Sequence, residues 1–259
     1  MSRIYSYQSN ADITEAIAKG LRPEDFKLES QGASKKQFYN CLTKTDDSYW
    51  LYGDSYDANL FVMQKNAKPN AKWQQKTLPF TAQDHEGGFA SSGTCLISDQ
   101  QGNLLIGTGN GSAPRLLFKP AQDQWQSIPS PFSGGEAAGI FTLVLQNNMV
   151  YAFGGSLKTK NVAAEGFAFD LVTRHWQKLP TLPFDGAIYG AAFANNRLYV
   201  SSPKGIATLK IKENNWSIIS DKDIWAMACD SKMTSSSTNS KSCFGVGADD
   251  TVIEFWTIH

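Results

Sequence analysis

The chain has 259 residues, 41% of them hydrophobic and 19% charged, enough apolar material for a sizeable core and too much for a disordered polypeptide. Lys plus Arg and Asp plus Glu both number 24, so the formal net charge is zero. No basic excess exists to hold nucleic acid or an anionic membrane by bulk electrostatics, and neither is expected as a partner. Aromatic residues reach 12%, with 7 Trp and 15 Phe, which favours strands over helices.

Met1 to Gln8 contains no apolar h-region, and no later run approaches the roughly 18 residues of a membrane-spanning helix. Cytoplasmic residence is the default expectation, with export by another route left open. Arg3 to Tyr7 would supply a strand of an extra sheet were there six blades in place of five. Residues 12–20 begin with Asp12, continue in good helix formers and end at Gly20, predicting a short helix.

From there the chain repeats. Lys72-Trp73-Gln-Gln-Lys-Thr-Leu78-Pro79-Phe80, Gln124-Trp125-Gln-Ser-Ile-Pro-Ser-Pro131-Phe132 and His175-Trp176-Gln-Lys-Leu-Pro-Thr-Leu-Pro183-Phe184 share one signature, with the three Phe 52 residues apart. Asn215-Trp216-Ser-Ile-Ile-Ser220 is a shortened copy. Asp25-Phe26-Lys-Leu-Glu-Ser30 is another, with Phe in place of Trp. Between signatures lie alternating β-branched and aromatic runs divided by turn residues, such as Asn147-Asn148 and Asn195-Asn196. Units begin near Phe38, Phe89, Ile140, Tyr189 and Ile224. The last has only three strands, and the Phe26 segment is the natural fourth.

The expectation is one all-β domain over residues 1–259. It is a β-propeller of four-stranded antiparallel blades, five of them closed by N- and C-terminal strands, with six as the alternative. The recurring Trp73, Trp125, Trp176 and Trp216 read as packing between blades. Residues 231–242 form a polar, low-complexity hairpin loop.

The Tyr151-Ala-Phe-Gly154-Gly155 strand, followed by Trp176 and Leu179-Pro-Thr-Leu-Pro183, resembles the kelch family of the galactose-oxidase type. The resemblance is close over residues 133–184 and elsewhere a matter of plan, the Gly-Gly doublet becoming Tyr52-Gly53-Asp54, Gly107-Thr-Gly109 and Val200-Ser-Ser. It implies a propeller that serves as a scaffold for a protein partner.

A propeller's loops into its innermost strands surround the channel mouth. Here they carry Asp84, His85 and Glu86, then Glu136, then Asp185 and Tyr189, then Asp223 and Trp225. Carboxylates converging beside aromatics suit a cation, a basic peptide or sugar hydroxyls, and the alternative is solvated turn residues. His85, between two carboxylates, is the single residue best suited to proton transfer. Three scattered histidines and no CxxC spacing leave no metal set, and no cofactor is expected. Cys41 and Cys95 read as small buried thiols, whereas Cys229 and Cys243 flank a loop that a disulfide could close.

Three functions follow. The first is a non-catalytic binding module docking a protein through its channel-mouth loops. The second is a carbohydrate-binding propeller, with Trp225 stacking on a sugar. The third is an enzyme acting on a glycan or small metabolite, with Glu86, Glu136 and Asp185 as acid and base. That last reading needs two carboxylates within about 5–10 Å.

Overall fold

A computed structural model describes residues 2–7, 20, 22–55, 59–90, 92–99, 101–159, 161–229, 242–249 and 251–256. The helix expected at 12–20 and the polar loop at 231–242 lie essentially outside them. Strand β1 (Arg3–Tyr7) pairs antiparallel with β2 (Phe26–Gln31), entered through a single 3-10 turn at Pro23–Asp25. Five further sheets follow in chain order. The first blade holds β3 (Gln37–Lys44), β4 (Ser48–Ser55), β5 (Asn59–Asn66) and β6 (Gln74–Thr77). The second holds β7 (Leu96–Ser98), β8 (Leu104–Gly107), β9 (Arg115–Lys119) and β10 (Gln126–Pro129). The third has β11 (Ala138–Gln146), β12 (Met149–Ser156), β13 (Glu165–Asp170) and β14 (Trp176–Lys178). The fourth has β15 (Gly190–Ala194), β16 (Arg197–Ser202), β17 (Gly205–Lys210) and β18 (Ser217–Ser220). The fifth has β19 (Ile224–Cys229), β20 (Ser242–Gly247) and β21 (Val252–Trp256).

This is the expected five-bladed propeller, every sheet an antiparallel meander. Asn195 and Asn196 both adopt positive φ, 47° and 58°, which the two-residue turn between β15 and β16 requires. First strands of successive blades adjoin one another, β3 to β7, β7 to β11, β11 to β15 and β15 to β19, so they line the inside. The Gly154-Gly155 doublet has a steric cause: a Cβ on Gly154 would collide with the Gly139 carbonyl, and one on Gly155 with the Gly186 carbonyl of the next blade. The Phe26 strand takes a partner other than the one its sequence suggests. Among the described residues β2 pairs with β1, and β21 has β20 as its sheet partner.

Burial follows the seams between blades. Tyr52, Val62, Ile106 and Leu117 pack between the first two blades, Leu105, Ile140, Val150 and Phe169 between the second and third. Phe153, Ile188, Leu198 and Val200 fill the third seam, and Tyr199, Ile206, Ile224 and Met227 the fourth. The signature tryptophans lie at these seams, Trp125, Trp176 and Trp216 each packing on a different cluster. Two of them also reach across: Trp176 Nε1 donates to the Pro129 carbonyl at 2.9 Å and Trp216 Nε1 to the Pro180 carbonyl at 3.0 Å.

The cysteine reading needs correction. Cys41 and Cys95 are not thiols but a disulfide joining β3 of the first blade to the residue that leads into β7 of the second, which the fold brings together from 54 residues apart. Cys229 and Cys243, directly opposed on β19 and β20, form the second bridge. Disulfides persist in oxidising compartments, which argues against the cytoplasmic default. No described helix is long and apolar enough to cross a membrane.

Candidate functional site

Three inner strands carry a β-bulge at the same place. The register skips Asn40 in β3, Phe141 in β11 and Trp225 in β19. A bulge re-aims its extra residue, and here it sets what the inside of the ring presents. Phe141 is fully buried between Phe89, stacked at 3.7 Å between centroids, and Tyr189, stacked at 5.8 Å. An aromatic pile therefore closes the second, third and fourth blades against one another. Asn40 turns instead to a carboxylate, donating to Asp54 at 2.5 Å. Asp54 also accepts the Gly88 amide at 2.8 Å, and its burial raises its pKa. Trp225 remains 44% exposed, its indole N–H fixed on Asp223 at 2.7 Å.

The loop residues singled out from sequence separate into groups. Asp84 and His85 pair with each other at 3.6 Å and stand out in solvent. Glu86, expected at the mouth, is buried: Arg115 holds both its oxygens at 2.7 Å, and the Gln83 amide donates to it at 2.9 Å. Arg115 continues to the Thr81 carbonyl at 3.0 Å and over the Phe80 ring. This pair ties the loop from Phe80 to Gly87 onto β9, so Glu86 is an internal clamp. Glu136 pairs with Lys158, whose hydrogen bond holds its carboxyl below the usual range.

Asp185, Tyr189, Asp223 and Trp225 form the other group. Asp185 and Tyr189 share a cleft of about 330 Å³ with Ser156, Asn161, Pro203 and Lys204. Lys204 hydrogen-bonds Asp185 and holds its pKa down. Burial raises the pKa of the Tyr189 phenol, and the nearby Asp223 carboxylate adds to the shift. The cleft thus offers hydroxyl, amide and a neutralised ion pair, with the fixed indole of Trp225 beyond Asp223. Ser156 ends β12, and Asn161 and Lys204 come from the β12–β13 and β16–β17 connections, which carry no repeat signature and so escaped the sequence reading.

Two larger clefts, of about 600 and 690 Å³, open around Met149, Tyr151 and Ile211 at the other end of the seam between the third and fourth blades. Their side chains are the margin of the inter-blade packing, and the rim carboxylate of Asp170 accepts the Val172 and Thr173 amides of its own turn. Chemistry concentrates at the mouth instead. Among the described residues no group of three or more His, Cys, Asp and Glu is placed to hold a metal.

No family model, kelch repeats included, matches the chain, and no curated protein matches it. Solved structures do. The extracellular domain of BT4673 from B. thetaiotaomicron aligns with a TM-score of 0.56 at 14% identity, covering 88% of this chain and 28% of that one. AofleA from Arthrobotrys oligospora aligns with a TM-score of 0.56 at 11% identity, covering 90% of this chain and 73% of that one. A second BT4673 structure gives 0.56 at 15%, covering 90% and 28%. The chain spans under a third of BT4673. Identities this low establish the propeller fold and leave the kelch resemblance as a matter of blade plan.

Proposed function

We propose that this chain is a non-catalytic, extracellular carbohydrate-binding propeller whose site is the mouth of the fourth and fifth blades. One observation carries the reading: the exposed Trp225 indole is fixed on Asp223, whose carboxylate acts on Tyr189, and Tyr189 lines a small cleft with Ser156, Asn161 and the Asp185–Lys204 pair. Sugars bind by laying their C–H faces on an aromatic ring while neutral donors and acceptors fix the hydroxyls. An Asp–Lys pair supplies donors and acceptors with no net charge. Two disulfides suit an oxidising, extracellular setting, and the likeness to a protein titled an extracellular domain agrees with it.

Acid–base catalysis has weaker support. Glu86 is held by Arg115, and Glu136 and Asp185 are held below the usual carboxylate range by Lys158 and Lys204. A general acid needs the opposite shift. Docking of a protein across the mouth, which the kelch resemblance implies, meets separate ion pairs there, Glu136 with Lys158 and Asp185 with Lys204, beside the exposed Leu157 and Val162.

A glycan array followed by calorimetry on the hits tests the proposal. Trp225→Ala and Lys204→Ala should each weaken binding at least tenfold while Asp84→Ala leaves it unchanged. An array without hits, or hits indifferent to Trp225, would overturn it.

A further inference from the structure

Tyr151 and Tyr199 occupy the same place in successive blades, each the third residue after an Asn-Asn turn, Asn147-Asn148 or Asn195-Asn196. Each ring meets an aromatic of the next blade, Tyr151 stacked on Phe193 with centroids 6.4 Å apart and Tyr199 tilted on Phe255 at 5.6 Å. The two differ in what faces them across the sheet. Burial raises the pKa of Tyr199, and hydrogen bonding with the hydroxyl of Thr208, its partner on β17, pulls it back. Tyr151 is paired instead with Ala168, whose side chain has no polar atom. Its pKa is raised by burial alone, and among the described residues its phenol has no hydrogen-bond partner. Only 9% of Tyr151 is exposed. The phenol thus lacks the partner that the fold provides one blade on.

What Tyr151 faces is open space. It lines both clefts at this end of the seam, of about 600 and 690 Å³, and they meet along Met149, Tyr151 and Ile211. Ala168 lines the larger, where a longer side chain would otherwise reach, and Leu179, Leu198 and Leu209 complete its apolar wall. Lys178 and Lys212 stand at its rim, and among the described residues neither has an ion pair. Glu213 shares that rim without pairing with them. Asp170, at the smaller cleft, is turned to the amides of its own loop. One buried donor, an apolar wall and two unpaired ammonium groups therefore surround one space.

We propose that this double cleft binds a small carboxylic acid with an apolar body. The carboxylate accepts the Tyr151 O–H and is drawn by Lys178 and Lys212, while the body lies on Met149, Leu209 and Ile211. A charged acceptor makes the stronger hydrogen bond to a phenol, and clefts of this size hold molecules up to drug size. A purely apolar molecule would leave the buried donor unmet, and a sugar would turn its hydroxyls onto leucine and methionine. Two lysines against one glutamate at the larger rim favour an anion. Of the undescribed segments, 230–241 joins strands of the adjoining fifth blade, and its residues are polar but for Met233, ill-suited to an apolar wall. The site lies at the opposite end of the seam from the carbohydrate reading and stands if that fails.

The probes are 2-naphthoate and decanoate, an aryl and an alkyl acid, titrated into the whole chain by calorimetry with naphthalene-2-carboxamide as the neutral control. Expected is saturable binding of at least one acid, tenfold or more tighter than the amide. Tyr151→Phe, which keeps the ring and loses the O–H, should weaken it about tenfold. Ala168→Thr, which gives Tyr151 the partner that Tyr199 has, should weaken it at least as much while raising the melting temperature. Met149→Cys in the free chain should react readily with iodoacetamide, and at least tenfold more slowly when the acid saturates. Binding of neither acid overturns the proposal, as does an amide that binds as tightly. Acid binding indifferent to Tyr151→Phe overturns it too. A thiol already protected in the folded, ligand-free Met149→Cys chain means that the chain's own residues cover the cleft, and likewise overturns it.

Discussion

Trp176 donates its indole N–H to the Pro129 carbonyl of the preceding blade, and Trp216 repeats the bond one blade on, to Pro180. In the third and fourth blades the repeat signature is thus a lock in which the blade's tryptophan reads the proline segment of the preceding blade. Removing the donor but keeping a ring, as in Trp176→Phe or Trp216→Phe, should cost about 1 kcal/mol each. Trp73→Phe should be neutral within about 0.5 kcal/mol, since its buried N–H has no bond to lose and its desolvation penalty offsets the lost ring volume. Urea titrations of the three variants check the contrast, and a matching loss at Trp73 would refute it.

Glu86 and Arg115 are both nearly buried, and each is the other's charge partner. Glu86→Gln should destabilise by about 3–5 kcal/mol, because it leaves a buried guanidinium uncompensated. Glu86→Leu combined with Arg115→Met should recover most of that loss. Chemical denaturation of the two variants decides between an internal clamp and a surface pair, which would cost under about 1 kcal/mol.

Glu29 is held at a pKa of about 2 by the Lys65 ammonium, with help from the Ser6 hydroxyl. Its folded pKa lies below its unfolded one. The stabilisation it gives is therefore complete above about pH 4.5 and fades as pH falls toward 2. On the order of 2–3 kcal/mol is at stake, localised where the N-terminal hairpin rests on the first blade. Amide exchange of β1 and β2 should rise across that window, and Glu29→Gln should make it fast and flat with pH.

The disulfide between Cys41 and Cys95 spans 54 residues and that between Cys229 and Cys243 spans 14. Loop-closure entropy assigns about 4 kcal/mol to the first and about 3 kcal/mol to the second. Cys41→Ala with Cys95→Ala should lower the melting temperature more than Cys229→Ala with Cys243→Ala. An equal or reversed order would show that strain or residual structure outweighs chain entropy.

The blades were legible because their cause is periodic. Alternation, Asn-Asn turns and the Trp–Pro–Phe interval each reflect a local rule repeated along the chain, and residues 133–184 state it most fully. The site was legible only in fragments. Asp185, Tyr189, Asp223 and Trp225 stood out because they fall in loops at a fixed place in the repeat. Lys204 and Asn161, which complete the cleft, come from connections whose sequence says nothing of their neighbours. Glu86 looked like its acidic companions and differs from them through Arg115, 29 residues away.

By itself the sequence determined five antiparallel meanders and the tryptophans that pack between them, since strand period and turn chemistry act over a few residues. Tertiary structure decided which cysteines are bonded and which carboxylates are neutralised. It also decided that, among the described residues, the Phe26 strand pairs with β1 and not with β21. Those outcomes depend on distances between residues far apart in the chain, which no local pattern encodes.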